Sequence, residues 1–415
     1  MVYQPPAGAR DLLPLEVAQK RWIEERLQQV FHRWGYHRII TSTLERLDTL
    51  MAGGAIQPST VIQLQNMGDE ALGLRPELTA SIARAAVTRM AGSARPQRLY
   101  YNANVFRRAE RSSPDRQQEF YQAGVELLGC GGTTADAEVL LLVADCLSQL
   151  ELKNSVLILG EAGLTQSLLS EFPQPIQEQV RQAIAHLDQL ALEALPLSPQ
   201  LRDRALVLLD LRGRPADVLQ RVSSLELDES QRSMVNNLKA LIELLEQMFL
   251  DWGQTQTNLP SLILDLSLIR TFDYYTGIVF DVVGDSESGK RVLGQGGRYD
   301  QLLSLYSPQQ ETCPGIGFSL NVEELHQTLL PTGQLPAQTP PSHWLVVPVT
   351  PSVYRDAFSY AQTIRNSANL VRVEVALEQW DQPDTVRDYA RRRGIQQIAW
   401  IGGAVSPEIE SVLSQ

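Results

Sequence analysis

Cysteine is almost missing from this chain: three residues, Cys130, Cys146 and Cys313, in 415. They show no CxxC and no metal-ligand spacing, which argues against a disulfide scaffold and against a structural metal site. No apolar run reaches the roughly 18 residues that a membrane span needs, and Met1-Val-Tyr-Gln-Pro-Pro6 lacks the basic-then-apolar pattern of a signal peptide. The expectation is a cytoplasmic protein with no membrane partner and three reduced, structural thiols. Positive charge is also short, with 36 Lys and Arg against 48 Asp and Glu, a net charge of −12. Phosphate-binding proteins draw much of their affinity from counterion release at a concentrated basic surface, so this balance weighs against a nucleic-acid partner while leaving room for a local patch.

What is present is an ordinary globular composition, 43% hydrophobic and 20% charged, long enough for two or three domains. Gly8-Ala-Arg-Asp-Leu-Leu-Pro14 reads as a turn before a helix over about 16–34. There Val17, Trp22, Ile23, Leu27, Val30, Phe31 and Trp34 recur at helical spacing until Gly35 stops it. Residues 36–43 read as a strand. Leu74-Arg-Pro-Glu-Leu-Thr79 precedes a helix from about Ala80 to Met90, and Pro76-Glu77 taken alone is helix-start chemistry. Residues 98–129 read as two antiparallel strands around an arginine-rich loop. On the second strand Phe120, Gln122, Gly124 and Glu126 share a face, where a glycine between polar side chains leaves room for a ligand above the backbone. A half-solvated sheet face gives the same pattern. Thr133-Thr-Ala-Asp136 reads as a capping box for a helix through about Gln149, and Ser155–Gly160 as a further strand. From about 164 to 255 repeated leucines among Gln, Glu and Arg describe a helical insertion without visible chemistry.

Two later stretches carry more information. Arg270-Thr-Phe-Asp-Tyr-Tyr-Thr-Gly277 stands between the apolar runs 262–269 and 278–283, and Gly294-Gln-Gly-Gly-Arg-Tyr-Asp300 lies shortly downstream. An arginine, an aspartate and adjacent tyrosines between β-branched runs are costly unless something polar meets them. For the first stretch alone, a strand end with packed tyrosines and an Arg270–Asp273 pair is an equally good account. Together, the two resemble the paired histidine-recognition signatures of histidyl-tRNA synthetase, a class II synthetase.

That resemblance covers nearly the whole chain apart from the insertion. It implies an α+β fold: a class II aminoacyl-tRNA synthetase-like antiparallel sheet flanked by helices, with a helical insertion and a small C-terminal α/β domain. It identifies the opening helix and strand as motif 1, on which such enzymes dimerise, with Ala9 in place of the usual threonine and Ser42 near the usual proline. Motif 2 is residues 98–129, with Arg107 at its arginine; the loop arginines 111–116 are left unassigned. The resemblance implies that a bound histidine meets Glu77, Thr79 and Gln122 with its ammonium group. Its imidazole would face Glu126 and Tyr275, and its carboxylate Arg270, helped by Arg107. Tyr274 belongs to the same site, and the Gly296-Gly297-Arg298-Tyr299 turn closes over the ligand. No catalytic residue, metal or cofactor is implied.

Cys313–Leu325 resembles motif 3, but Glu324 stands where class II enzymes place an arginine on the ATP phosphates, and no Arg or Lys occurs between Arg298 and Arg355. An anion about 4 Å from a phosphate oxygen costs roughly 1 to 4 kcal/mol per charge pair. Residues 1–330 are thus expected to form the core, 331–342 a linker, and 343–415 a unit resembling the start of an anticodon-binding domain, cut off before a further strand and helix. Residues 343–415 hold no lysine, seven arginines and eight acids, 7 − 8 = −1. Arg391-Arg-Arg393 reads best as a solvated helix end. A histidine pocket retained beside a dismantled nucleotide clamp resembles the regulatory-subunit family of ATP phosphoribosyltransferase. That family implies a short-form catalytic partner, histidine as effector, a homodimer within a hetero-oligomer and no tRNA. The alternative is a divergent histidyl-tRNA synthetase.

Overall fold

Strand-forming runs far apart in the chain come together in one sheet. The computed structural model describes residues 5–54, 56–64, 70–108, 117–268, 274–287, 289–307, 309–367, 370–380, 382–403 and 406–412. The chain divides into two units, Met1–Pro336 and Ala337–Gln415.

Among the described residues the larger sheet of the first unit, which also holds a small three-stranded one, has nine strands: β1 (His37–Arg38), β2 (Gln97–Phe106), β3 (Glu119–Leu128), β4 (Val156–Glu161), β5 (Arg212–Gly213), β6 (Ser261–Asp265), β7 (Ile278–Ser286), β8 (Gly289–Arg298) and β9 (Gly315–Asn321). Their spatial order is β1-β2-β3-β9-β8-β7-β4-β6-β5. The central pairings are antiparallel, while β1·β2 and β4·β6 are parallel. One face is covered by the helices Pro14–Arg33 and Thr133–Gln149, whose Ile23, Leu27, Val30, Val139 and Leu142 are fully buried. Each such side chain contributes about 1.5–3 kcal/mol on burial. The other face carries a separate apolar cluster with Leu78, Ile82, Tyr101, Tyr275 and Tyr299.

The insertion is helical, running from Ala162–Leu169 through Glu229–Trp252. Its last helix opens with a capping box between Asp228 and Gln231 and packs Leu238, Leu241 and Leu245 into the first cluster. Three local expectations change. The strand over 36–43 shortens to β1, because the carbonyls of Thr41 and Ser42 accept from the Arg75 guanidinium instead of a neighbouring strand. Thr133 begins its helix without capping it: the N-cap is Gly132, at φ +83°, and the Asp136 carboxylate accepts from Arg298. In the second unit the terminal stretch does form a strand, Glu408–Ser411, antiparallel to Gln397–Ile401. That unit's other pairings are parallel, in the order Val373–Val375, Trp344–Pro348, Gln397–Ile401, and the helices Tyr354–Ser367 and Pro383–Arg392 bury their apolar stripes in two clusters. No helix of the described residues is long and apolar enough to cross a membrane.

Candidate functional site

On the second face of the sheet lies a cavity open to solvent, with about 410 Å³ of space between its atoms, the open mouth included. Of the residues that the resemblance names, Glu77, Thr79, Arg107, Gln122, Tyr274, Tyr275, Gly296 and Tyr299 line it together. Glu126 lies directly behind this wall, 1% exposed, and Arg270 and Asp273 fall outside the described residues.

The acids are held tightly. Glu77 accepts the backbone N–H groups of Thr79 (2.5 Å) and Ala80 (2.9 Å), so the helix-start chemistry and the cavity lining belong to one carboxylate. Thr79 Oγ1 donates to Glu126 Oε1 at 2.7 Å, and the Tyr299 hydroxyl donates to Glu126 Oε2. Burial pushes the Glu126 carboxyl up to about 8; the two hydroxyl donors oppose this and nearby Glu77 adds to it. Glu77 is also raised by burial, against the opposing amides and Arg107. Arg107 is the cation among the described lining residues. Its Nε donates to Pro76 O at 3.0 Å, and burial lowers its pKa against the pull of Glu77. The Gln122 side chain, 6% exposed, has no hydrogen-bond partner among the described residues. Tyr274 packs against Tyr275 (4.7 Å between ring centroids) and against Tyr299 (5.9 Å), an apolar cheek beside the acids.

Two glycines make these approaches possible. A Cβ on Gly317 would overlap Glu126 Oε2 and the Val125 carbonyl. A Cβ on Gly124 would overlap Phe318 O and the Tyr101 phenol, so the room above Gly124 is filled by Tyr101 rather than kept for a ligand. The segment Gly296–Tyr299 is likewise no turn closing over the cavity. Its first three residues lie within β8, and Arg298 is buried against Asp136 (Nη2–Oδ1 2.5 Å) and Asp300 (3.1 Å). The sequence reading missed Tyr101, Gln295, Gly317, Phe318 and Ser319 in the lining. Gln295 sat inside the quoted signature. Tyr101 becomes visible only from its register opposite Gly124.

Away from the cavity, Glu324 forms an ion pair with Arg291 on β8 at 2.7 Å. The basic run of the second unit is internally matched: Arg391 to Asp388 (2.6 Å), Arg393 to Glu374 (3.0 Å), and Arg392 Nε to the Asp388 carbonyl (3.3 Å). Among the described residues no group of three or more His, Cys, Asp or Glu is placed to hold a metal ion.

Sheet and cavity define a class II aminoacyl-tRNA synthetase-like protein, and the family model for histidyl-tRNA synthetase matches residues 8–325. A solved structure from Bacillus halodurans C, described as an ATP phosphoribosyltransferase regulatory subunit/histidyl-tRNA synthetase, superposes with a TM-score of 0.79 at 26% identity, covering 98% of this chain and 100% of that one. A histidyl-tRNA synthetase from Nostoc sp. PCC 7120 shares the fold, with a TM-score of 0.77 at 19% identity and 99% and 95% coverage. In sequence, the ATP phosphoribosyltransferase regulatory subunit of Nostoc punctiforme (strain ATCC 29133 / PCC 73102) is 66% identical over 412 residues, 99% of this chain and 100% of that one. Its counterpart from Nostoc sp. (strain PCC 7120 / SAG 25.82 / UTEX 2576) is 64% identical with the same coverage. The chain belongs to the ATP phosphoribosyltransferase regulatory subunit family.

Proposed function

We propose that the chain is a non-catalytic subunit required by a short-form ATP phosphoribosyltransferase catalytic subunit, and that it carries the histidine feedback response of the first step of histidine biosynthesis. Free histidine is the ligand of the cavity. Its ammonium is met by Glu77, the Gln122 amide oxygen and the Thr79 hydroxyl, charge-assisted contacts in a partly dry site. Glu126 and Tyr275 face the imidazole. Arg107 meets the carboxylate, and Arg270 remains the sequence-based candidate for the same duty. The protein works as a homodimer within a hetero-oligomer and does not act on tRNA.

One contrast carries this reading. The Glu77 carboxylate lines the cavity with Glu126 just behind its wall, while the motif 3 position offers Glu324, already paired with Arg291, instead of a cation free for phosphates. Because the cavity is distinct from the partner's chemistry, histidine must bind the inhibited arrangement better than the active one, and a difference of about 1–3 kcal/mol suffices. The test is reconstitution with a short phosphoribosyltransferase. Activity is expected only with both chains present and falls as histidine is added. Arg270→Ala is expected to keep assembly and lose the histidine response. Histidine-dependent ATP–pyrophosphate exchange by this chain alone would instead make it a divergent synthetase.

A further inference from the structure

Arg75, just before Pro76 and Glu77, is 5% exposed, and among the described residues its guanidinium donates to backbone carbonyls alone. Nε donates to Asn104 O (2.9 Å), and Nη1 donates to Thr41 O (2.9 Å) and Ser42 O (3.2 Å). Its main chain is stitched to the same two segments: Arg75 N donates to Thr43 O (3.1 Å), and Phe106 N donates to Arg75 O (2.9 Å). The nearby acid Glu45 accepts from Arg84 at 2.6 Å. A buried guanidinium with no carboxylate in hydrogen-bond contact is costly, Glu45 offsetting its burial only from a distance, and its rigid fork suits it to joining several carbonyls at fixed angles.

The residues next in the chain give this arrangement a purpose. Pro76 O holds Arg107 Nε, and Glu77 and Thr79 line the cavity just beyond it. We infer that Arg75 is a positioning residue for the cavity, a clamp across the 41–43 segment and the end of β2 that sets where Glu77 and Arg107 stand. It thereby governs recognition of the ligand's ammonium and carboxylate. Recognition of a ring falls to Glu126, which Thr79 holds at one oxygen but which Tyr299 anchors independently at the other and β3 carries. This assignment of roles rests on the histidine reading given above.

The experiment compares the full chain with Arg75→Lys and Arg75→Met, titrating histidine and 4-methylimidazole, which keeps the ring alone. Amide hydrogen exchange is followed in the ligand-free proteins. Both substitutions should weaken histidine by about tenfold or more while 4-methylimidazole changes less than about twofold. The amides of Thr79 and Ala80 should exchange faster, with the Thr133–Gln149 helix unchanged. If Arg75→Met does not fold, Arg75→Lys decides alone, since an ammonium cannot span three carbonyls as the fork does. Equal weakening of both ligands, or unchanged exchange at Thr79 and Ala80, overturns the assignment. Wild-type protein that takes no histidine would overturn the effector reading instead, and the exchange data would still judge Arg75.

Discussion

Glu126 sits where a carboxyl keeps its proton more readily than in water, and that residue alone has two measurable consequences. Its folded pKa is pushed up to about 8, above the ordinary carboxylate range. Between that range and pH 8 the folded chain binds the proton and the unfolded chain does not. Stability contributed by this group is therefore complete at low pH and lost as pH rises through about 8. Glu126→Gln should flatten this slope in melting temperatures recorded across that window. A cationic ligand beside Glu126 favours its ionised form, so binding near neutral pH should release up to about one proton. Calorimetry in buffers of different ionisation enthalpy reads that proton, and Glu126→Gln should release less.

At the scale of elements, strand β9 has no slack where it crosses β3. Ala at Gly317 would press its methyl into Glu126 Oε2 and the Val125 carbonyl, and backbone cannot retreat as a side-chain tip can. Gly317→Ala should cost about 1–3 kcal/mol by overpacking, read as a lower denaturation midpoint, together with loss of histidine binding. Nothing in the sequence marks Gly317 apart from its glycine neighbours, since its constraint comes from a strand some 190 residues earlier. Periodicity did reveal the helix Pro14–Arg33, which commits one face to a core; the helix Thr133–Gln149, buried on nearly every side, was announced only by a capping box that it does not use. Local patterning failed over 36–43, where the backbone partners belong to the side chain of Arg75, and at Thr133, where Asp136 serves distant Arg298. The site residues were named through the resemblance to histidyl-tRNA synthetase; residue chemistry by itself marked only 270–277, where polar side chains among β-branched runs need a partner. Tyr101 drew no notice because its cavity face appears only once Gly124 is opposite it.

The molecule as a whole is acidic, with an Arg291–Glu324 pair at the motif 3 position and paired arginines in its second unit. Histidine at about a hundred times its Kd should raise the unfolding free energy by about 2.7 kcal/mol, seen as a shift in Tm, while ATP at the same excess should leave Tm unchanged. The order of the sheet has one more consequence. Strands from before the middle of the insertion and strands from after it alternate across the sheet: β1, β2 and β3, then β9, β8 and β7, then β4, then β6 and β5. A chain severed near Leu187, between two insertion helices, would leave neither piece with a finished sheet or a whole cavity. Each piece is the template on which the other completes its hydrogen bonding, so the two halves, made separately, should find one another and rebuild the binding site as a split protein.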